Sequence, residues 1–120
     1  MQNFIQNGQT MTYTNGDSAT IESGGVVTVG NLIGIAKGKI IANATGVLSM
    51  EGVFEVPKAS GAVIAQGALV QWDKSAGEFV KNSAADGTGD VTGACVAWEA
   101  AKSGDTVVRV KINTAAGVVA

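Results

Sequence analysis

The sequence predicts an all-β fold, a small single-domain β-barrel or sandwich with glycine-rich turns and an extended N-terminal arm. The chain of 120 residues contains 17 glycines, about twice the ~7% of an average protein, which indicates many turns. Apolar and polar side chains alternate over residues 47–56 and 106–112, as in strands with one buried face. No segment has the apolar period of a convincing amphipathic helix. The expected divisions are an arm at 1–9, a β domain at 10–112 and a C-terminal tail at 113–120.

The β domain begins with a short strand that ends at Asn15-Gly16, a dipeptide typical of tight turns. Glycine-containing turns then separate a series of short apolar segments, so each segment is predicted to be a strand. Asp73 opens a loop that is expected to join two of them in a hairpin. These short strands are predicted at residues 10–14, 26–29, 32–36, 68–72, 78–80 and 91–98.

The clearest strand is predicted at residues 47–56, where several apolar side chains share one face. Gly52 lies in that run and indicates a bulge, a bend or a close backbone approach. Pro57 ends the strand because it cannot donate a hydrogen bond to the ladder. A final strand at 106–112 also has one apolar face, and the small apolar tail after it is expected to fray. The predicted core side chains are Leu48, Met50, Phe54, Val108, Val110 and Ile112.

The charge and hydropathy of the chain limit the classes of molecule that it is expected to bind. The net charge is −2 and the isoelectric point is near 4.9, whereas nucleic-acid binding needs clustered Lys and Arg. No apolar run approaches the ~18 residues of a membrane span. The first residues have neither the basic start nor the apolar stretch of a secretory signal. Nucleic acid and membrane are therefore not expected partners, and synthesis in a cytoplasm is expected.

Few side chains in this sequence could catalyse a reaction. The chain has no histidine, and its single cysteine, Cys95, lies in an apolar segment where an inert core thiol is expected. Glu51 and Glu55 are predicted on one strand face, about 13 Å apart along an extended strand. That separation is too large for a typical pair of glycosidase carboxylates. No catalytic residue and no cofactor is therefore predicted.

The segment 86–90 is the best candidate for a metal site, because Asp86 and Asp90 flank glycines that could wrap a calcium ion. It lacks the third acidic ligand and the closing Glu of an EF-hand loop. A flexible loop without a metal is the favoured interpretation.

Two groups of apolar side chains are candidates for contacts with other molecules. Trp72 and Trp98 each follow strand residues and precede an acid, so each could cap the core or contact a ligand or a subunit. Phe4 and Ile5 form an isolated apolar pair in a polar arm, outside any strand pattern. Such an arm could bind a partner or dock onto its own domain, and both possibilities stay open.

Several segments, in a fixed order along nearly the whole chain, carry a family resemblance. They are Asn3-Phe4-Ile5-Gln6-Asn7-Gly8, Thr12-Tyr13-Thr14-Asn15, the Val-Gly-Asn-Leu-Ile-Gly-Ile-Ala run at 29–36, the segment 46–58, Trp72-Asp73 and the segment 101–110. Together they resemble the small capsid cement, or decoration, proteins of tailed bacteriophages and prophages. The Glu-Gly-Val-Phe-x-x-Pro-Lys block at 51–58 is fairly specific. One departure is Asn7, at a position where proline is expected in the arm.

The resemblance implies a β-rich structural protein that binds the outside of an expanded capsid as a homo-trimer and clamps neighbouring capsomers. The implied partner is the major capsid protein, and the implied location is the capsid exterior of the virion, after synthesis in the bacterial host cytoplasm. The family has no established catalytic residues to carry over. The arm residues expected to contact the capsid are Asn3, Phe4, Ile5 and Gln6.

Two other functional classes remain open on sequence alone. A carbohydrate- or cell-surface-binding β-module on a phage particle would use Trp72, Trp98 and Tyr13 as stacking platforms, which requires those rings to be exposed together. An enzyme would need an unseen carboxylate site in an enclosed polar pocket.

Overall fold

The computed structural model describes residues 6–82 and 87–120, and it contains ten strands and no helix in those ranges. The strands form two antiparallel sheets, which confirms the all-β prediction; the sheets do not close into a barrel. The first sheet has the order β1-β4-β3-β2, and the second has the order β5-β9-β8-β6-β7, with β10 paired to β8. The strands are β1 (Thr10–Thr14), β2 (Val26–Val29), β3 (Leu32–Ala36), β4 (Thr45–Ser49), β5 (Val53–Pro57), β6 (Leu69–Asp73), β7 (Glu78–Lys81), β8 (Val91–Ala97), β9 (Val107–Lys111) and β10 (Val118–Val119).

The chain crosses from the first sheet to the second at Gly52. The single strand predicted over 47–56 is wrong, because β4 ends before Gly52 and β5 begins after it. Gly52 has a φ of 128°, a conformation that residues with a Cβ rarely adopt. The bend expected there is confirmed. Pro57 ends β5, which lies at the edge of the second sheet. Proline has no backbone N–H to donate, and an edge strand tolerates this because no further strand needs that donor.

Two hydrophobic clusters result from this arrangement. The larger cluster lies where the second sheet meets β3, and it includes Ile33 and Ile35 of the first sheet. The smaller cluster gathers Leu48, Met50 and Ala36 on the opposite face of the first sheet. Strand β3 is therefore apolar on both faces, since side chains alternate along a strand and each set meets a different cluster.

The predicted core is largely confirmed. Five of the six predicted side chains are buried: Leu48, Met50, Val108, Val110 and Ile112. The sixth, Phe54, is only partly buried and packs against the larger cluster. Its strand, β5, lies at the edge of the second sheet, so no neighbouring strand covers the outer side of the ring.

The C-terminal tail does not fray as expected. Val118 and Val119 form β10 and pair with β8, and the backbone amide of Gly117 donates to the carbonyl of Asn31 at 2.8 Å. Asn113 adopts a φ of 55°, and its side chain bonds to the backbone of the first sheet. The tail therefore joins the two sheets, whereas the division into arm, domain and tail stays a prediction.

Candidate binding surfaces

The predicted capsid-contact residues lie at the N-terminus. Asn3, Phe4 and Ile5 fall outside the described residues, and Gln6 is exposed. Gln6 lines an open groove of about 560 Å³ together with Met11, Leu32 and Met50.

The arm is attached to the domain at Gln9. The carbonyl of Gln9 accepts a hydrogen bond from the backbone amide of Met50 at 2.9 Å. Asn7, which replaces the expected proline, accepts a hydrogen bond on Oδ1 from the amide of Gln9 at 3.2 Å. This local bond makes a turn within the arm, so Asn7 supplies some of the restraint that a proline ring would give.

The two tryptophans have different environments. Trp72 is buried, with 6% of its surface exposed, and its ring lies 5.0 Å from the ring of Phe79 at a tilt of 58°. Trp98 is 50% exposed. Trp72 is therefore a core residue, and Trp98 is available for contacts.

The three aromatic rings required for a carbohydrate platform are not exposed together. Tyr13 is partly buried against the smaller cluster, and it lines an open groove of about 550 Å³ together with the buried Trp72. Trp98 is not among the residues that line this groove.

The outer face of the second sheet carries an apolar surface that the sequence reasoning did not identify. We use the term outer face for the side of this sheet that points away from the larger cluster. Residues paired across neighbouring strands form three rows on this face. The first row is Val53, Lys111, Val96 and Leu69, and the middle row is Glu55, Arg109 and Trp98. The third row is Pro57 and Val107. Four of these side chains are large, apolar and more than 40% exposed: Val53, Leu69, Trp98 and Val107. Valines at positions where the strand alternation predicts polar side chains are the signal that could have revealed it.

Charges on the outer face compensate one another. The Nη1 atom of Arg109 donates to Oε2 of Glu99 at 2.8 Å, and its Nε atom lies 3.8 Å from Oε1 of Glu55. Glu99, chiefly, and also Glu55 raise the pKa of the Arg109 guanidinium above its ordinary value. The ammonium group of Lys111 lies 5.6 Å from the centre of the Trp98 ring, within cation–π range. Glu99 adjoins the outer face through its bond to Arg109, so Glu99 and Glu55 together balance the charges of Arg109 and Lys111.

Asp90 stabilises a loop and does not present free oxygens. Its Oδ2 atom accepts hydrogen bonds from the amide of Gly87 at 2.8 Å and from Nε2 of Gln71 at 3.3 Å. Its Oδ1 atom accepts a bond from the amide of Lys74 at 3.1 Å. Asp86, its partner in the predicted calcium site, lies outside the described residues.

These bonds make stability depend on Asp90 at acid pH. The Gly87 amide, helped by Lys74 and Gln71 and opposed by burial, holds the pKa of Asp90 below its ordinary value of 3.8. A lowered pKa in the folded state gives stability that is present above the unfolded-state pKa and is lost as pH falls through the folded-state pKa. We expect Asp90→Asn to lower the free energy of unfolding at pH 7 by roughly 1.5–3 kcal/mol. The variant should also lose less stability than the wild type on acidification below about pH 4.

Urea unfolding at neutral and acid pH measures both effects. Asp17→Asn removes an exposed carboxylate and is the matched control. Equal midpoints for Asp90→Asn and the wild type at pH 7 would contradict the assigned role.

The other chemistry-bearing groups are dispersed. Cys95 is buried in the larger cluster, as expected, and burial raises the pKa of its thiol to about 11. Glu51 lies in the turn between β4 and β5 and does not share a strand with Glu55. Across residues 6–82 and 87–120, no three Cys, Asp or Glu side chains are grouped to hold a metal ion. The same ranges contain no helix long and apolar enough to span a membrane.

Comparison of the sequence with known protein families gives a match over most of the chain. The family model described as phage cement protein matches residues 5–112. This range runs from the last residues of the arm through β9. No curated protein matches the chain.

Proposed function

The chain belongs to the phage cement protein family, and on that premise we propose that it binds the outer surface of the expanded capsid and bridges neighbouring capsomers. The family gives the protein a structural role at the phage capsid. The match over residues 5–112 is the observation that carries this proposal, because it covers strands β1 to β9. The proposed partner is the major capsid protein, to which the chain binds after synthesis in the bacterial host cytoplasm.

The proposed capsid anchor is the arm, through Asn3, Phe4, Ile5 and Gln6. Exposure of Gln6 and attachment of the arm at Gln9 support this role, since the hydrogen bond at Gln9 leaves the side chain of Gln6 accessible to a partner. The apolar pair supplies side chains that a pocket can bury, and the amide side chains beside it can hydrogen-bond to a partner backbone.

A homo-trimer would strengthen binding through these arms. An arm that becomes ordered on binding loses conformational entropy, so a single arm binds weakly. Once the first arm of a trimer has docked, linkage raises the effective concentration of the other two. Many such bridges would resist internal pressure although each contact is weak.

We expect deletion of residues 1–7 to leave fold and oligomeric state unchanged and to lower capsid occupancy sharply. The deleted segment lies before the Gln9–Met50 hydrogen bond, so this bond and the strands remain. Co-sedimentation with expanded capsids that lack this protein measures occupancy, and circular dichroism checks the fold. The double variant Phe4→Ala/Ile5→Ala should reproduce most of the loss, whereas Gln2→Ala should bind as the wild type does. Undiminished binding of the truncated protein would show that the arm is not the anchor.

A further inference from the structure

The outer face of the second sheet has the features of a protein contact surface. Trp98, Leu69, Val53 and Val107 are each between 41% and 50% exposed, and they lie in adjacent rows of one sheet. Soluble monomers seldom expose contiguous apolar patches of large side chains, and such patches mark interaction sites.

The same surface contains two of the residue types that contribute most to binding energy. Tryptophan and arginine are enriched among the side chains whose truncation weakens interfaces most, and these cluster near the centre of an interface. Trp98 follows the end of β8 and lies opposite Arg109 of β9. The two therefore lie side by side in the middle row of the outer face.

The charges on this face favour one kind of partner. The whole chain carries a net charge of −2, but Glu55 and Glu99 balance Arg109 and Lys111 here. A second copy of this face would therefore meet no net repulsion. A strongly acidic or strongly basic partner would gain no net attraction from it.

The polar groups of the face are also complementary to themselves. Arg109 makes one short bond, to Glu99, whereas its 3.8 Å approach to Glu55 is longer than a hydrogen bond. A guanidinium has five donors, and among the described residues Glu55 accepts no hydrogen bond. Arg109 of one copy can therefore bond to Glu55 of another.

We propose that the outer face, centred on Trp98 and Arg109, is the surface through which copies of this chain associate with one another. Apolar contacts of Trp98, Leu69 and Val107 form its centre, and Arg109 of each copy pairs with Glu55 of the next copy around the threefold axis. The proposal rests on the homo-trimer of the proposed function and names its contact surface. The outer face belongs to the second sheet, whereas the arm joins the domain at Gln9, next to β1 of the first sheet.

Self-association of the free protein tests this assignment without capsids. We expect the wild type to form oligomers in sedimentation-velocity experiments over a concentration series. Trp98→Ala should raise the dissociation constant at least about 30-fold. Leu69→Lys should have a similar effect through a second residue of the face. Ile41→Ala removes a side chain that is 58% exposed and belongs to the loop before β4, so it is the matched control and should associate as the wild type does.

Three other outcomes would each contradict a specific part of the proposal. A wild type that stays monomeric at every concentration overturns both this surface and the trimer, but not capsid binding by the arm. An oligomeric wild type whose association is equally strong in Trp98→Ala and Leu69→Lys overturns the surface and leaves the trimer intact. If the two variants associate normally but no longer bind capsids, the face contacts the capsid and not a second copy. Circular dichroism and urea midpoints confirm that each variant folds.

Discussion

Phe79→Ala is expected to lower the free energy of unfolding by about 3–5 kcal/mol. The ring of Phe79 is fully buried and packs on Trp72, so truncation removes apolar burial and leaves a cavity beside a second ring. The carbonyl of Phe79 accepts a hydrogen bond from Ala59 at 2.8 Å, which holds the surrounding backbone in place. A fixed backbone limits the collapse that would otherwise fill the cavity. Urea unfolding measures the loss.

Phe54→Ala is the matched comparison, because the same atoms are removed from a partly buried site. Its cost should be clearly smaller, since the edge position leaves one side of the ring open to solvent. Glu51→Ala, in an exposed turn, should stay within about ±0.5 kcal/mol. Equal unfolding midpoints for Phe79→Ala and Phe54→Ala would contradict the placement of Phe79 in the core.

Asn113→Ala is expected to lower the free energy of unfolding by about 3 kcal/mol, from two separable causes. The Oδ1 atom of Asn113 accepts a bond from the amide of Ile33 at 2.8 Å. Its Nδ2 atom donates to the carbonyls of Ile33 at 2.6 Å and of Met50 at 2.8 Å. Alanine leaves all three backbone groups without these partners. It also places a Cβ at a φ of 55°, a conformation that asparagine tolerates better than alanine.

Asn113→Gly separates the two causes. Glycine adopts this φ without strain, so the glycine variant should be more stable than the alanine variant by up to about 1 kcal/mol. Both should remain well below the wild type, because both lose the three hydrogen bonds. Wild-type stability in Asn113→Gly would show that the side chain does not join the sheets.

Much of the fold follows from local chemistry, and the sequence alone was sufficient to identify it. Side-chain alternation identifies the inward-facing set Val108, Val110 and Ile112, because strand periodicity is a property of the backbone itself. Gly52 and Pro57 could also be interpreted locally. Glycine permits the positive φ of a bend, and proline fixes its own φ and lacks the amide donor that a strand needs. The family could also be recognised from the segments at 29–36 and 51–58.

Other features depend on contacts between residues distant in sequence. The alternation over residues 47–56 fits one long strand as well as two short strands in different sheets. Only the neighbours show that there are two, because β4 pairs with β1 and β3 in the first sheet and β5 pairs with β9 in the second. The tail looks disordered by composition, yet Asn113 and Gly117 find partners about 80 residues away in the first sheet.

The two tryptophans of the candidate binding surfaces also show that burial could not be predicted from the local sequence. Each ends a similar apolar run before an acidic residue, and nothing local distinguishes them. Trp72 is buried because its side of β6 faces Phe79 and the larger cluster, whereas Trp98 follows β8 on the side that points outward. Sequence periodicity determined which side chains share a face of a strand. Only the packing of one sheet against the other decided which face is buried, because burial depends on what lies opposite and not on the strand itself.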